Sequence, residues 1–473
     1  MKNKYKMTTL FLATALALSC GTKDIIPVVD LNTEYSIVDG DTVKTRIEKD
    51  FNKVKNYKYL KSNSIVLGDT LVMYKEIKLH DRPLKKPDLS KLKNDLIPEL
   101  NGKSLRYVAI GGSISAGYRD GGYFNEGIMT SFPNLVARQM GIEKFEQPLF
   151  EPSDYNGFGR IVRTEFNPSG GPAPKFKRST NNLGILGVSG DKLIPKKIKK
   201  SRFEIDNWAS PNISLHGFNF PMTEIGSYHD RMDFEVDMIM LDEYTKQKMD
   251  IFTMEFCDNV FYNASVSGIS PFDNGRPGGT EPPLLTLLKI YEKEGRKGCI
   301  ANIPDPGGFP YFNFITKSQL KKGLGGLYLD WISDRINEEE YRVLPSARMD
   351  SIASPKVHMS MKKAPNYALT SLTNLTYYTD QYNSNIVSFA KATRYPVVDL
   401  KSLYAKILGG KYITEDGVRI DPSYPNGNFF SVDGIYPTAL GQAVIANEFI
   451  KTLNAYYQLE VPLVPTKAYL NQK

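Results

Sequence analysis

From residue 105 onward, short apolar runs rich in β-branched and aromatic residues alternate with longer stretches of helical period. The first run, Tyr107–Ile110, passes into the small residues Gly111, Gly112 and Ser113. A helical pattern follows over Ser131–Met140. Asn182–Gly190 is a second apolar run ending in glycine, and Ile251–Phe256 is a third, leading into Cys257-Asp-Asn-Val260. Helix-like Pro283–Lys293 precedes a strand at Cys299–Ile303 and a turn at Pro304–Gly308. Asn383–Lys391 reads as a helix and Pro396–Leu400 as a strand. The chain closes with Ser431–Thr438 and a helix over Gly441–Ala455. Such alternation predicts an α/β fold: a parallel sheet in three layers, with helices on both faces. Two loop-rich insertions, Pro148–Thr180 and Asn207–Tyr228, interrupt it. A strand ending in Gly-Gly-Ser lets the chain turn sharply and present one hydroxyl at the carboxyl edge of the sheet, where open α/β sheets place their sites.

The pattern ahead of residue 105 is different. Residues 61–80 hold two alternating runs around Gly68-Asp69, which predicts a hairpin. Residues 81–104 carry three prolines and many charges and read as a linker or edge segment, and residues 21–60 as a polar tether. Lys2, Lys4 and Lys6 precede the short apolar stretch Leu10–Leu18, the arrangement of a secretory signal. It ends in Leu16-Ala-Leu-Ser-Cys20, which resembles a bacterial lipobox. That resemblance implies cleavage after residue 19, acylation of Cys20 and anchoring to a membrane. No Asp follows the cysteine, which by the same analogy implies the outer membrane, and Lys23-Asp24 resembles the short charged signals that send some lipoproteins to the cell surface. The expected organisation is a signal peptide over 1–19, a lipid-anchored tether and N-terminal extension over 20–100, the α/β domain over 101–464 and a tail over 465–473.

A hydrophobic fraction of 41% is that of a globular protein. The formal charge of +8 becomes +5 once the three signal-segment lysines are removed. No stripe of Arg and Lys interleaves with aromatics, so nucleic acid is not the expected partner. The basic run Lys192–Arg202 reads as a solvated face, with anionic lipid headgroups or a partner as the alternative. With Cys20 acylated, Cys257 and Cys299 remain. On neighbouring parallel strands they fall at opposite ends of the sheet, out of disulfide reach, so two free thiols are expected. Four scattered histidines and two cysteines give no metal-ligand spacing, and no cofactor is expected.

The order of these blocks resembles the SGNH/GDSL hydrolases, a flavodoxin-like fold. The resemblance is to a lipoprotein branch with a long first loop, here Gly117-Tyr-Arg-Asp-Gly-Gly-Tyr-Phe-Asn-Glu-Gly127. Agreement continues at Asn302-Ile-Pro-Asp305, at Val398-Asp399 and over Gly441–Phe449, and it spans roughly residues 104–464. It implies a serine nucleophile at Ser113, an oxyanion glycine at Gly190 and an oxyanion asparagine at Asn259. The Asp-x-x-His block that supplies base and orienter corresponds to Asp433-Gly434-Ile435-Tyr436.

The departures carry as much information as the agreement. The acid that normally adjoins the nucleophile is Gly112, the third block's glycine is Cys257 and its acid is Val260. The histidine position is Tyr436. A general base works best with a pKa near ambient pH. A phenol near 10 is ionised to about one part in a thousand at pH 7. If its proton went to Asp433, the phenol would donate rather than accept and would not activate Ser113. The aromatic residues Tyr118, Tyr123, Phe124, Phe158, Trp208, Phe218, Phe220 and Tyr228 gather in loops around the expected site; Tyr118, Tyr123 and Trp208 are candidates for a recognition rim. The reading is a catalytically degenerate SGNH fold serving as a binding or scaffolding subunit beside an outer-membrane β-barrel or other envelope protein. The alternatives are a serine esterase of acylated glycans or lipids with a substitute base, and a glycan-binding surface protein.

Overall fold

The computed structural model describes residues 79–165, 175–189, 192–211, 213, 215, 226–261, 283–315, 341–344 and 369–470, together with strands at 33–38, 41–46, 64–67, 70–73, 327–330 and 357–360. The signal segment, Cys20, Gly190, His216, Phe218 and Phe220 lie outside the described residues.

Four N-terminal strands, β1 (Thr33–Val38), β2 (Asp41–Arg46), β3 (Ser64–Leu67) and β4 (Thr70–Met73), form an antiparallel sheet in the order β1-β2-β4-β3. Leu67 pairs with Thr70, so β3 and β4 are the two arms of the expected hairpin. β1 and β2 overturn the tether reading of this stretch. Val38 pairs with Asp41 across Asp39-Gly40, and Asp-Gly is a strong signal for the tight turn whose twist matches a hairpin.

The α/β core follows. In chain order it contains β5 (Tyr107–Gly111), α1 (Ser113–Ala116), α2 (Asn125–Met129), α3 (Phe132–Gln139), the hairpin strands β6 (Ile161–Glu165) and β7 (Lys175–Arg178), and a second hairpin of β8 (Ile185–Ser189) and β9 (Lys192–Pro195). Next come α4 (Ser227–Arg231), α5 (Met240–Lys246), β10 (Ile251–Glu255), α6 (Pro283–Lys293) and β11 (Lys297–Ala301). Strands β12 (Leu327–Asp330), β13 (Tyr341–Val343), β14 (Val357–Ser360) and β15 (Leu369–Ser371) form two small ladders, β12 with β14 and β13 with β15. The core closes with α7 (Leu372–Ala392), β16 (Val397–Val398), α8 (Leu400–Leu408) and α9 (Ala439–Tyr457).

The central sheet runs β16-β11-β10-β5, parallel throughout. β5 and β10 are buried along their whole length, as their unbroken apolar runs require of strands covered on both faces. α3 and α9 pack together, with Phe132 stacked on Phe449 at 4.2 Å between centroids. α5, α6 and α7 form a second group, where the Tyr291 hydroxyl donates to the Tyr244 carbonyl at 2.8 Å. β11 touches α9 from one group and α7 from the other. These are the three predicted layers.

The strand beside β5 is not the one expected. The segment 206–210 lies parallel to it: Ala109 N–H donates to Asp206 at 2.9 Å, Trp208 N–H to Ala109 at 2.8 Å and Ser210 N–H to Gly111 at 2.9 Å. This completes the 2-1-3-4-5 order of flavodoxin-like sheets. β8, the apolar run of 182–190, instead pairs antiparallel with β9 outside the central sheet. Leu186 there is 66% exposed, whereas Trp208 is 3% exposed in the core. Burial, rather than the apolar count of the run, decides which segment takes the inner place.

The core also extends past both expected limits. Leu92 is fully buried in the main core, Asn94 N–H donates to Asp250 at 2.9 Å, and His80 Nδ1 meets the Tyr469 hydroxyl at 2.7 Å. Tyr469 is itself fully buried. Residues 79–100 are therefore core structure, not linker, and 465–470 are not a loose tail. Leu92→Ala should destabilise the α/β domain by about 2–5 kcal/mol, the usual cost of emptying a buried leucine. Urea unfolding followed by tryptophan fluorescence reads this; an unchanged midpoint would return residues 79–100 to a linker.

Candidate functional site

β5 ends against β10, and the contact leaves no room for side chains. A Cβ at Gly111 would lie 2.3 Å from the Glu255 carbonyl oxygen, and Gly112 N–H donates to that same oxygen at 2.9 Å. The chain then turns into α1, whose first residue is Ser113. Ser113 is fully buried, and its Oγ completes no hydrogen bond.

Its backbone is engaged by Asp258, just past the end of β10. Ser113 N–H donates to Asp258 Oδ2 at 2.6 Å, and the Tyr436 hydroxyl donates to Asp258 Oδ1 at 2.7 Å. The expectation that this phenol would bond Asp433 is therefore corrected. The phenol lies near enough to Ser113 to feel its hydroxyl, but its proton goes to the carboxylate. Burial, and after it the Asp258 charge, push the phenol well above its usual range, so it stays protonated. Tyr118 packs edge-on against Tyr436 at 5.1 Å.

A second buried acid lies below. Glu255 Oε2 accepts from Ser115 N–H at 3.0 Å and from Ser115 Oγ at 3.1 Å, and Oε1 accepts from Cys257 N–H at 2.5 Å. Burial and the neighbouring Asp258 push its carboxyl up to about 7. Burial, then Glu255, also hold the Cys257 thiol well above its ordinary range. Cys257 and Cys299 are both free and buried. Glu255 and Asp258 were missed in the sequence. Their signal was an acid closing the apolar strand Ile-Phe-Thr-Met-Glu, with a second acid three residues on.

Asp433 acts through backbone. Its carboxylate accepts from Gly121 at 3.0 Å, from Ile435 at 2.9 Å and from Tyr436 at 2.8 Å. Burial outweighs these bonds and, with Asp120 nearby, raises its carboxyl to about 6. The long first loop is thereby fixed to the final block. Within that loop, Glu126 pairs with Arg160 at 2.7 Å and with Arg119 at 3.4 Å, and Asp120 lies 3.7 Å from Arg119. Arg160 also sits 4.5 Å from the Phe124 ring centroid. Asn259 is adjacent, but its side-chain oxygen accepts from Leu215 N–H at 2.9 Å and so holds the 210–215 segment. Gly190 lies outside the described residues, and β8, which leads to it, is not in the central sheet. Ser210, which ends the segment that is, precedes Pro211, which has no N–H to offer.

The aromatic rim is corrected as well. Trp208 donates its indole N–H to Ile205 at 2.9 Å and packs among Phe203, Phe234 and Tyr244. Tyr123 is 3% exposed, within a cluster of Phe150, Phe158 and Tyr228. Only Tyr118 of the three candidates touches the site. The basic run lies on a solvated face, as read from the sequence, and much of its charge is paired. Lys196 pairs with Asp154, Lys197 with Asp230 and Asp233, Lys199 with Glu151, Lys200 with Glu146 and Arg202 with Glu243. His80 is tied to Tyr469, and the His229 ring packs against Phe234. His358 lies on β14, outside the central sheet. Among the described residues, no cluster of His, Cys, Asp and Glu could hold a metal ion.

No family model matches the chain, and no curated protein matches it in sequence. Among solved structures, a lipase/acylhydrolase from Enterococcus faecalis is similar over 76% of this chain and 99% of its own, at 11% identity and a TM-score of 0.28. The fold class rests on strand order and parallel register, not on that superposition.

The two raised carboxyls make stability depend on pH. Each binds its proton more tightly in the folded state than in the unfolded chain. Their contribution is therefore complete below the ordinary carboxylate range and is lost as pH rises through about 6 for Asp433 and about 7 for Glu255. The urea midpoint should fall between about pH 5 and about pH 8. Glu255→Gln should flatten that slope by up to one proton, about 1.4 kcal/mol per pH unit. An identical slope in the variant would remove Glu255 as the source.

Proposed function

We propose that this chain is an exported, lipid-anchored protein whose SGNH-like α/β core is catalytically silent. It serves as a binding or scaffolding subunit, in an assembly built on an outer-membrane β-barrel partner. One observation carries the silent site: the phenol at the histidine position gives its proton to Asp258 and stays protonated, so among the described residues that position offers Ser113 no ionised base. A serine hydroxyl is a weak nucleophile until an adjacent base removes its proton. The two described histidine side chains are engaged elsewhere. The anchor and the outer membrane rest on the lipobox-like segment ending at Cys20, and the partner on that anchor and on the loop-rich insertions read in the sequence. The glycan-binding alternative keeps only Tyr118 of its three candidates, because Tyr123 and Trp208 are interior residues.

On a short-chain aryl ester, wild type and Ser113→Ala should release product at the same background rate. A working triad would exceed that background by at least about 10⁴-fold. Turnover by wild type that Ser113→Ala abolishes would overturn the silent site. Mild-detergent extraction of the lipidated protein should co-purify a β-barrel protein; a clean monomer would count against the scaffold.

A further inference from the structure

The position of Asp258 has a consequence beyond the missing base. When a serine attacks a carbonyl, the oxygen that becomes negative falls against the serine's own backbone N–H and any further donors aimed at the same point. Here that N–H is already taken at 2.6 Å by Asp258 Oδ2. The other oxygen of the same carboxylate accepts the Tyr436 hydroxyl at 2.7 Å. Beside it, the buried Ser113 Oγ has no hydrogen-bond partner. A planar carboxylate thus lies where a substrate's carboxyl oxygens would lie, with the Ser113 amide and the Tyr436 phenol among the groups that hold it.

The neighbouring chain is shaped to admit it. A Cβ built at Gly112 would come within 2.7 Å of Asp258 Oδ2 and 3.1 Å of its carboxyl carbon. Gly112 has φ −92° and ψ −151°, extended backbone open to any residue. The absence of a side chain at 112 therefore answers to space and not to backbone conformation. The glycine at 112, a departure noted in the sequence, thus makes room for the carboxylate of Asp258, which lies between the departures at 257 and 260.

We infer that Asp258 is an intramolecular ligand of the Ser113 site, and that the site selects a small carboxylate which its own chain provides. This deepens the silent-site reading and rests on it. The site is occupied as well as unable to activate its serine.

The test needs no ester. In a double-mutant cycle, Gly112→Ala should lower the urea midpoint clearly in wild type and much less in the Asp258→Ala background, because the atom its Cβ meets is gone. Equal effects in both backgrounds would overturn the inference. Asp258→Ala should also gain thermal stability from sodium formate over sodium chloride at equal ionic strength, saturably, as formate takes the vacated place. Wild type should gain none, and adding Tyr436→Phe to the variant should weaken the effect. A formate response of equal size in wild type, or none in Asp258→Ala, would overturn the inference.

Should Asp258→Ala fail to fold, Asp258→Asn keeps the shape without the charge. The Ser113 amide proton should then move upfield from its strongly downfield position in wild type, and an unmoved resonance would count against the inference. Ester turnover by wild type would sink the silent-site reading while leaving the cycle's result intact. Additivity in the cycle would sink the internal ligand while leaving that reading untouched.

Discussion

One carboxylate holds together three parts of the chain that are distant in sequence. Asp258 reaches Ser113 across 145 residues and Tyr436 across 178. Charge-assisted bonds to a buried carboxylate are among the stronger polar contacts available to a protein. Losing either donor would leave the charge under-solvated in the core. The turn after β5, the start of α1, the end of β10 and the final block before α9 are therefore fixed relative to one another by a single side chain. Glu255 repeats the device one step deeper, joining Ser115 to Cys257.

The first loop depends on this frame. Asp433 binds Gly121 and the backbone of Tyr436 with the same carboxylate, so the loop and the phenol share an anchor. Behind that anchor the loop carries the buried ions Arg119 and Glu126, joined by Arg160 from further along the chain, and both guanidinium groups lie near the Phe124 ring. Gly117 and Gly127 meet back to back, each bringing the other's carbonyl within 2.3 Å of where a Cβ would stand. The motif that looked like a site loop in the sequence is, in its physical detail, a brace.

The sheet was legible because its strands are continuous apolar runs, and such runs at β5 and β10 have no other stable place. The strand beside β5 was not legible. Segment 206–210 is short, carries Asp206 and Asn207, and enters the sheet because Trp208 and Ile205 are buried there. The more hydrophobic run at 182–190 offers glycines and an outward-facing Leu186 instead. The β1–β2 hairpin was missed because its strands, Thr-Glu-Tyr-Ser-Ile-Val and Asp-Thr-Val-Lys-Thr-Arg, carry many polar residues and few apolar ones. In the site, Ser113 and Tyr436 were placed by block order. Asp258 escaped because it occupies a position that block order leaves unspecified, so its role depends on what stands opposite, namely Gly112 and Tyr436. The aromatic rim failed for the opposite reason: ring content in a loop says nothing of which way a ring faces.

The fit of Gly112 to Asp258 also bears on how such a site changes over generations. A histidine at 436 alone would face a filled oxyanion position. Removing the carboxylate alone would strip the Ser113 amide and the Tyr436 hydroxyl of their acceptor. A side chain at 112 alone would collide with Asp258. Each first step away from the present arrangement strands or crowds a buried group. The contact at 2.7 Å beside Gly112 therefore couples the two positions: a side chain at 112 and the carboxylate at 258 cannot both be kept unless one of them shifts.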